Sequence, residues 1–320
     1  MKASILKLVY WLASLACASA AYAQDYPTQP IRLIVPFAPG GSTEVLARML
    51  GESMSKGLGQ SMVIESRPGA GGNIGAEVVA KSAPNGYTAL FMHSGIVYNR
   101  LTDPKNSVDV AELVPVSHIA LAASVLSMSS AIPASTFEEF VRLAKAKPGH
   151  FTYGTWGDGS PPHFRGEYIS RLLNIQMLAV PYKGNGPIVT ALLANEVSLC
   201  FCSYLEVKPQ VEAGKIKLLA YGGSSRSPAL PQLPTFMEVG LPMTSEGWFA
   251  LFVPRATSAA IVNRLSAEAQ RAMKAPEIRA KAAEMGMTTT GTTPQYAAEE
   301  VRKEFDLWTN ILRTAGVKPR

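Results

Sequence analysis

Three stretches of this 320-residue chain place a glycine-rich turn between an apolar run and a helix start. The first reads Pro39-Gly40-Gly41-Ser42-Thr43 and follows the apolar run Ile31 to Phe37. The second runs from Gly154 to His163 and contains Trp156, Gly159 and Ser160. The third is Pro181-Tyr182-Lys183-Gly184-Asn185-Gly186-Pro187. A strand that turns into a helix this way leaves unpaired N–H groups at the positive end of a helix dipole, which suits an anion. The same turns also let a helix and a strand pack closely with nothing bound, and both readings stand for each turn taken alone.

Other chemistries fit less well. Gly69 and Gly71 start a dinucleotide-type G-x-G-x-x-G, but Ile74 occupies the third glycine position. His93-Ser94 and Ser160 with His163 pair a hydroxyl with an imidazole, which keeps a periplasmic serine hydrolase as the rival class. No G-x-S-x-G elbow supports it, and adjacent residues are poorly placed to act as base and nucleophile. Cys200 and Cys202 face the same side of an expected strand; they read as small core residues, with oxidation or a partial metal site as the alternatives. No cofactor or metal constellation is expected.

The elements that must position these turns alternate strand and helix almost throughout, which indicates an α/β fold with mostly parallel sheets. Expected strands include Ser61 to Glu65, Tyr87 to Phe91, Val114 to His118, Phe151 to Tyr153, Met177 to Val180, Val197 to Phe201 and Ile216 to Tyr221. Ser135 and Glu138 are expected to form a capping box before a helix lined by Phe137, Phe140, Val141 and Ala144. After Val253 the chain reads as helical, with Val301, Phe305, Trp308 and Leu312 on one face. Extended segments at Leu126 to Ser129 and Gly247 to Phe252 each sit between βα blocks. If both cross between lobes, a cleft lies between the lobes and loops from both line it.

Composition narrows the class. The formal charge is +6 and only 17% of residues are charged, with no basic block, so a nucleic-acid partner is not expected. Lys2 and Lys7 precede the apolar run Leu8 to Ala20, and Ala21-Tyr22-Ala23 has the small-x-small form of a cleavage site. Residues 1–23 are therefore expected to be a signal peptide. The run is shorter than a bilayer-spanning helix needs. A lipid-anchored alternative would use Cys17, although Ser14 stands where Leu is usual.

The segments YPTQPIRLIVPFAPGGSTE, GQSMVIESRPGAGGNIGAE, APNGYT, KPGHFTYGTWGDGSPPH, VPYKGNGP, LPTFMEVG and WFALFVP resemble the solute-binding proteins of the tripartite tricarboxylate transporter family, the TctC or Bug proteins. The resemblance runs from about Tyr26 to Gly316. It implies the type II periplasmic-binding fold: two α/β lobes, a hinge and an interlobe cleft that closes on a carboxylate. Lobe 1 is then expected at 24–125 plus 247–320, and lobe 2 at 126–246. The resemblance implies a periplasmic monomer that delivers its ligand to membrane permease subunits or signals to a sensor ectodomain.

Carried over, the resemblance places Pro39, Gly41, Ser42 and Thr43 at a ligand carboxylate, with Glu44 standing where the family usually has Asp. Ser94 follows the third strand. Trp156, Gly159, Ser160, His163, Lys183 and Gly184 form the second lobe's contribution, with Phe201 and Tyr204 beyond them. Trp156, Phe201, Tyr204 and Trp248 together favour an aromatic mono- or dicarboxylate over an aliphatic C4–C6 dicarboxylate or citrate. Core packing is the alternative for Phe201 and Trp248. No Arg falls clearly in the expected cleft loops, so recognition is expected to rest on amides and hydroxyls.

Overall fold

The computed structural model of the chain describes residues 26–37, 39, 42–157, 160–182 and 184–314, without the side chains of 42, 311 and 314. The expected signal peptide, Cys17, Gly41, Gly159 and Lys183 lie outside the described residues, as does the side chain of Ser42.

The first half opens with β1 (Ile31–Val35), α1 (Ser42–Leu58), β2 (Met62–Ser66), α2 (Asn73–Ala80), β3 (Thr88–His93) and α3 (Gly95–Thr102). The strands β2, β1 and β3 lie side by side and parallel. Ile31, Leu33, Ile34 and Val35 are fully buried, as a near-continuous apolar strand inside a parallel sheet requires. On α1, Leu46, Leu50 and Met54 recur at helical spacing and are all fully buried. Each such side chain contributes about 1.5–3 kcal/mol by leaving water. Gly59, at φ +69°, then turns the chain away from the helix end.

The chain crosses to the second half on one strand, β4 (Leu113–Ser129), 17 residues long. Val114 to His118 and Leu126 to Ser129 were expected as separate strands; here they are the two ends of β4. The Ile119–Val125 stretch between them is mostly apolar and small, and it pairs on with β9 and then β7, with one register slip at Ile119. Pro115 is tolerated in this central strand because the pairing slips beside it, between Pro115 and Ser117.

The second half contains α4 (Phe137–Ala146), β5 (Phe151–Thr155), α5 (Pro161–Leu173), β6 (Met177–Pro181), α6 (Asn185–Leu193), β7 (Leu199–Ser203), α7 (Tyr204–Glu212) and β8 (Ile216–Tyr221). Strands β6, β5 and β7 are parallel, while β7 and β8 both run antiparallel to the C-terminal end of β4. The cap of α4 is one residue later than expected. Thr136 accepts the Glu139 N–H at 3.2 Å, and Glu139 accepts the Ser135 N–H at 2.7 Å. Thr136, immediately before the helix, has the extended backbone of an N-cap, and its hydroxyl reaches the third helical N–H. Cys200 and Cys202 are fully buried and joined as a disulfide, the oxidised alternative to two separate core thiols.

The chain returns on β9 (Glu246–Pro254), antiparallel to both β3 and β4. It ends with α8 (Ala259–Lys274), α9 (Pro276–Glu284), the short strand β10 (Met287–Thr289) and α10 (Pro294–Thr314). Strand β10, three residues long, interrupts a region expected to be wholly helical and pairs with β4. Along β4, residues Leu113 to Ala123 pair with β9, and residues from Ser124 onward pair with β7 and β8. One strand thus belongs to two sheets and changes partners at Ala123/Ser124. Among the described residues no helix is long and apolar enough to cross a membrane.

Candidate ligand cleft

A cleft of about 780 Å³ opens between the halves. Its walls are the C-terminal ends of strands, where open α/β sheets place ligands. From the first half come Phe37 after β1, Gly71 after β2, and His93 and Ser94 at the end of β3. From the second half come Trp156 and Ser160 after β5, Asn185 at the start of α6, and Phe201 and Ser203 on β7. The crossing strands form the floor through Ala122, Ser124, Ser245 and Gly247. There the hydroxyls of Ser124 and Ser245 are hydrogen-bonded to each other, and the Ser124 N–H donates to the Ser245 carbonyl at 2.9 Å.

Of the residues singled out from sequence, Ser94, Trp156, Ser160 and Phe201 line this cleft. Pro39, Thr43, His163, Gly184 and Tyr204 are described but are not among its lining residues. Thr43 is buried in the first turn of α1. The His163 carbonyl accepts the Tyr153 hydroxyl at 3.3 Å, and its ring lies tilted on Phe164. Gly184 caps α6 at φ +107°, a conformation that suits glycine. Tyr204 packs against the core beside β7 and β8. Glu44 is buried and paired with Arg48 on the same helix. Trp248, at 3% exposure, packs on His118 and Phe252 and takes the core alternative.

Ser160 serves its own loop: its hydroxyl donates to the Gly157 carbonyl at 2.7 Å and accepts the Trp156 N–H at 3.2 Å. The Trp156 indole N–H donates to Asn185 Oδ1 at 2.7 Å, tying the β5–α5 loop to α6. The Asn185 amide in turn donates to Glu206 Oε2 at 2.8 Å. Ser203 and Glu206 form a capping box at the start of α7. Burial raises the Glu206 carboxyl, against the lowering effect of its bonds from Ser203 and Asn185.

His93 stacks on Phe37 at 4.6 Å and meets Phe249 edge-on at 6.1 Å. Burial lowers its imidazole to about 4, so the ring is neutral. Its Nδ1 accepts the Gly95 N–H at 2.9 Å, which leaves the proton on Nε2. The ring is therefore oriented by backbone and by two aromatic neighbours.

The largest departure from the sequence expectation is Arg165, which lines the cleft one turn inside α5. Its guanidinium carbon lies 5.7 Å from the centre of the Trp308 ring. Its Nε is sealed from solvent with no hydrogen-bond partner. Burial lowers its titration to about 10, with Glu304 acting in the opposite direction. Tyr98, Phe37, Phe249 and Asn99 are further lining residues that the turn motifs did not mark. The only sequence signal for Arg165 and Tyr98 was a helical spacing beyond a strand end, which many surface positions share.

Two α/β halves, joined by crossing strands around a cleft lined by hydroxyls, rings and one guanidinium, define a two-lobed binding protein. The tripartite tricarboxylate transporter family receptor matches residues 46–317, and the chain belongs to that family, as a TctC/Bug-type periplasmic solute-binding protein. It is similar to the protein BugT of Bordetella pertussis, with 32% identity over 96% of each chain. Among solved structures it is similar to R. palustris Rpa4515 with adipate, at 34% identity and TM-score 0.81, covering 92% of this chain and 100% of that one. It is also similar to MatC from Rhodopseudomonas palustris with bound malate, at 29% identity and TM-score 0.76, covering 90% of this chain and 100% of that one.

Proposed function

We propose that this protein captures a small organic carboxylate between its lobes in the periplasm and delivers it, as a monomer, to membrane permease subunits. The observation that carries this reading is the cleft itself, built from strand ends of both halves. The family adds the receptor role, and the expected signal peptide adds the compartment. Lobe 1 is assigned to 24–125 plus 247–320 and lobe 2 to 126–246. This division is supported by the exchange of β4 partners at Ala123/Ser124. The reading is capture without catalysis: the Ser160 hydroxyl proton is committed to Gly157, and His93 Nδ1 is committed to Gly95. A sensor ectodomain is the alternative partner.

An aromatic mono- or dicarboxylate is the favoured ligand class. Trp156, Phe37, Tyr98, Phe201 and Phe249 surround the cleft, and stacking on such rings adds about 0.5–1.5 kcal/mol beyond burial. An aliphatic dicarboxylate is the second reading, favoured by the adipate and malate in similar structures. A thermal-shift screen of terephthalate, phthalate, benzoate, nicotinate, adipate, succinate, malate and citrate separates them. A ligand at about a hundredfold excess over Kd adds roughly 2.7 kcal/mol of stability. Stabilisation by aliphatic acids alone would reject the aromatic preference, and turnover of ester substrates would reject capture without catalysis.

A further inference from the structure

We infer that Arg165 is the second lobe's anion contact and that it makes the cleft selective for a ligand with two anionic groups. The inference rests on the carboxylate-capture reading above.

The start of α5 is poorly equipped to hold an anion through its backbone. Pro161 and Pro162 have no N–H. The Ser160 N–H donates to the Gly157 carbonyl at 3.2 Å, and the Phe164 N–H donates to the Ser160 carbonyl at 3.1 Å. The Ser160 hydroxyl proton also goes to Gly157. Next to it, Trp156, Asn185 and Glu206 form a chain of mutual hydrogen bonds. Among the described residues, the Trp156, Ser160, Asn185 and Glu206 polar groups on this side are therefore largely spent on one another and on their own loop.

Arg165 is not. It is the one cationic side chain among the described residues that line the cleft, and it has no hydrogen bond or ion pair to any of them. Its guanidinium lies over the Trp308 ring, which holds it in place and limits the freedom lost when an anion docks. A guanidinium presents planar paired donors that match a carboxylate edge. Asp103 and Glu206 also line the cleft and carry the charge that repels a ligand anion, so among the charged lining residues described only Arg165 attracts one.

Calorimetric titration of the full chain with length-matched pairs tests the assignment: adipate against hexanoate, and terephthalate against benzoate. The wild type should bind the dianion of the better pair at least about tenfold more tightly than its monoanion. Arg165→Met keeps an unbranched side chain without the charge and should weaken that dianion by about 10- to 100-fold, with the monoanion changed by less than about twofold. Arg165→Lys should restore part of the loss, because the charge returns without the fork. Equal weakening of both members of a pair by Arg165→Met, or no weakening of the dianion, overturns the assignment. So does a wild type that holds monoanion and dianion equally well. A wild type that binds none of the four acids sinks the carboxylate reading itself, and the role of Arg165 with it.

Discussion

Arg165 on α5 lies over the ring of Trp308 on α10, 5.7 Å from its centre, and this contact joins helices from opposite sides of the cleft. Around it, Tyr98 packs on Trp308 at 5.4 Å and on Phe164 at 5.9 Å, and Leu312 completes the cluster. The C-terminal helix thus packs on the crossing strand β4 and also reaches α5 of the second half. Closure on a ligand has to preserve or rearrange this packing, since a ligand shifts the equilibrium only by its differential affinity for the two states.

Trp308→Ala should be among the most destabilising single changes on α10. Trp308 is 5% exposed, packs on Tyr98 and under Arg165, and donates its indole N–H to Glu304 at 2.7 Å. Truncating a buried ring of this size costs about 3–5 kcal/mol. Trp308→Phe keeps most of the packing and should cost about 1–2 kcal/mol, mainly the bond to Glu304. Urea unfolding compares the two, and equal losses would show that the hydrogen bond rather than the ring holds the cluster.

Glu304 makes stability pH-dependent near neutrality. Burial raises its carboxyl to about 7, with Trp308 and Arg165 lowering it and Glu300 and Glu246 adding to the rise. The folded protein holds this proton to a higher pH than the unfolded chain, whose Glu releases it near 4.5. The stabilisation is therefore full below about pH 4.5 and is lost as pH rises through 7. Glu304→Gln should flatten that change, making the variant relatively more stable at pH 8 than at pH 5 by on the order of 2 kcal/mol. Parallel denaturation curves for the two proteins at both pH values would exclude this role.

Trp156→Ala should separate aromatic from aliphatic ligands. The ring is 44% exposed at the cleft and is held by Asn185. Loss of stacking should weaken an aromatic acid by about 0.5–1.5 kcal/mol and leave adipate unchanged. If both weaken equally, Trp156 serves to shape the loop that carries Ser160.

Gly166→Ala tests how closely α5 sits on its strand. A Cβ there would meet the Tyr153 ring at 2.1 Å, and Tyr153 is fully buried beneath it. The helix must shift or the ring must move, at a cost of about 1–3 kcal/mol. Because α5 carries Arg165, the variant should lose ligand affinity along with thermal stability, and a wild-type melting temperature would show the interface to be looser than described.

By itself the sequence determined the alternation of strand and helix, the burial of Ile31 and of Leu33 to Val35, and the glycine turns at strand ends. These are set by periodicity and by backbone freedom, which act within a few residues. The motifs also carried the family. Tertiary structure alone decided what faces the cleft. Arg165 and His163 lie two positions apart on one helix, yet only Arg165 lines the cleft, because helix rotation is fixed by packing on Tyr153 and Trp308. Trp248 and Phe249 are neighbours on β9, and the pleat sends Trp248 to the core and Phe249 to the cleft. The merging of two expected strands into β4 depended on partners more than a hundred residues away, on β9. The Ser160 hydroxyl, legible as a ligand donor, was claimed by its own loop. A hydroxyl takes the partner that the folded backbone sets within reach, and local sequence does not record which partner that is.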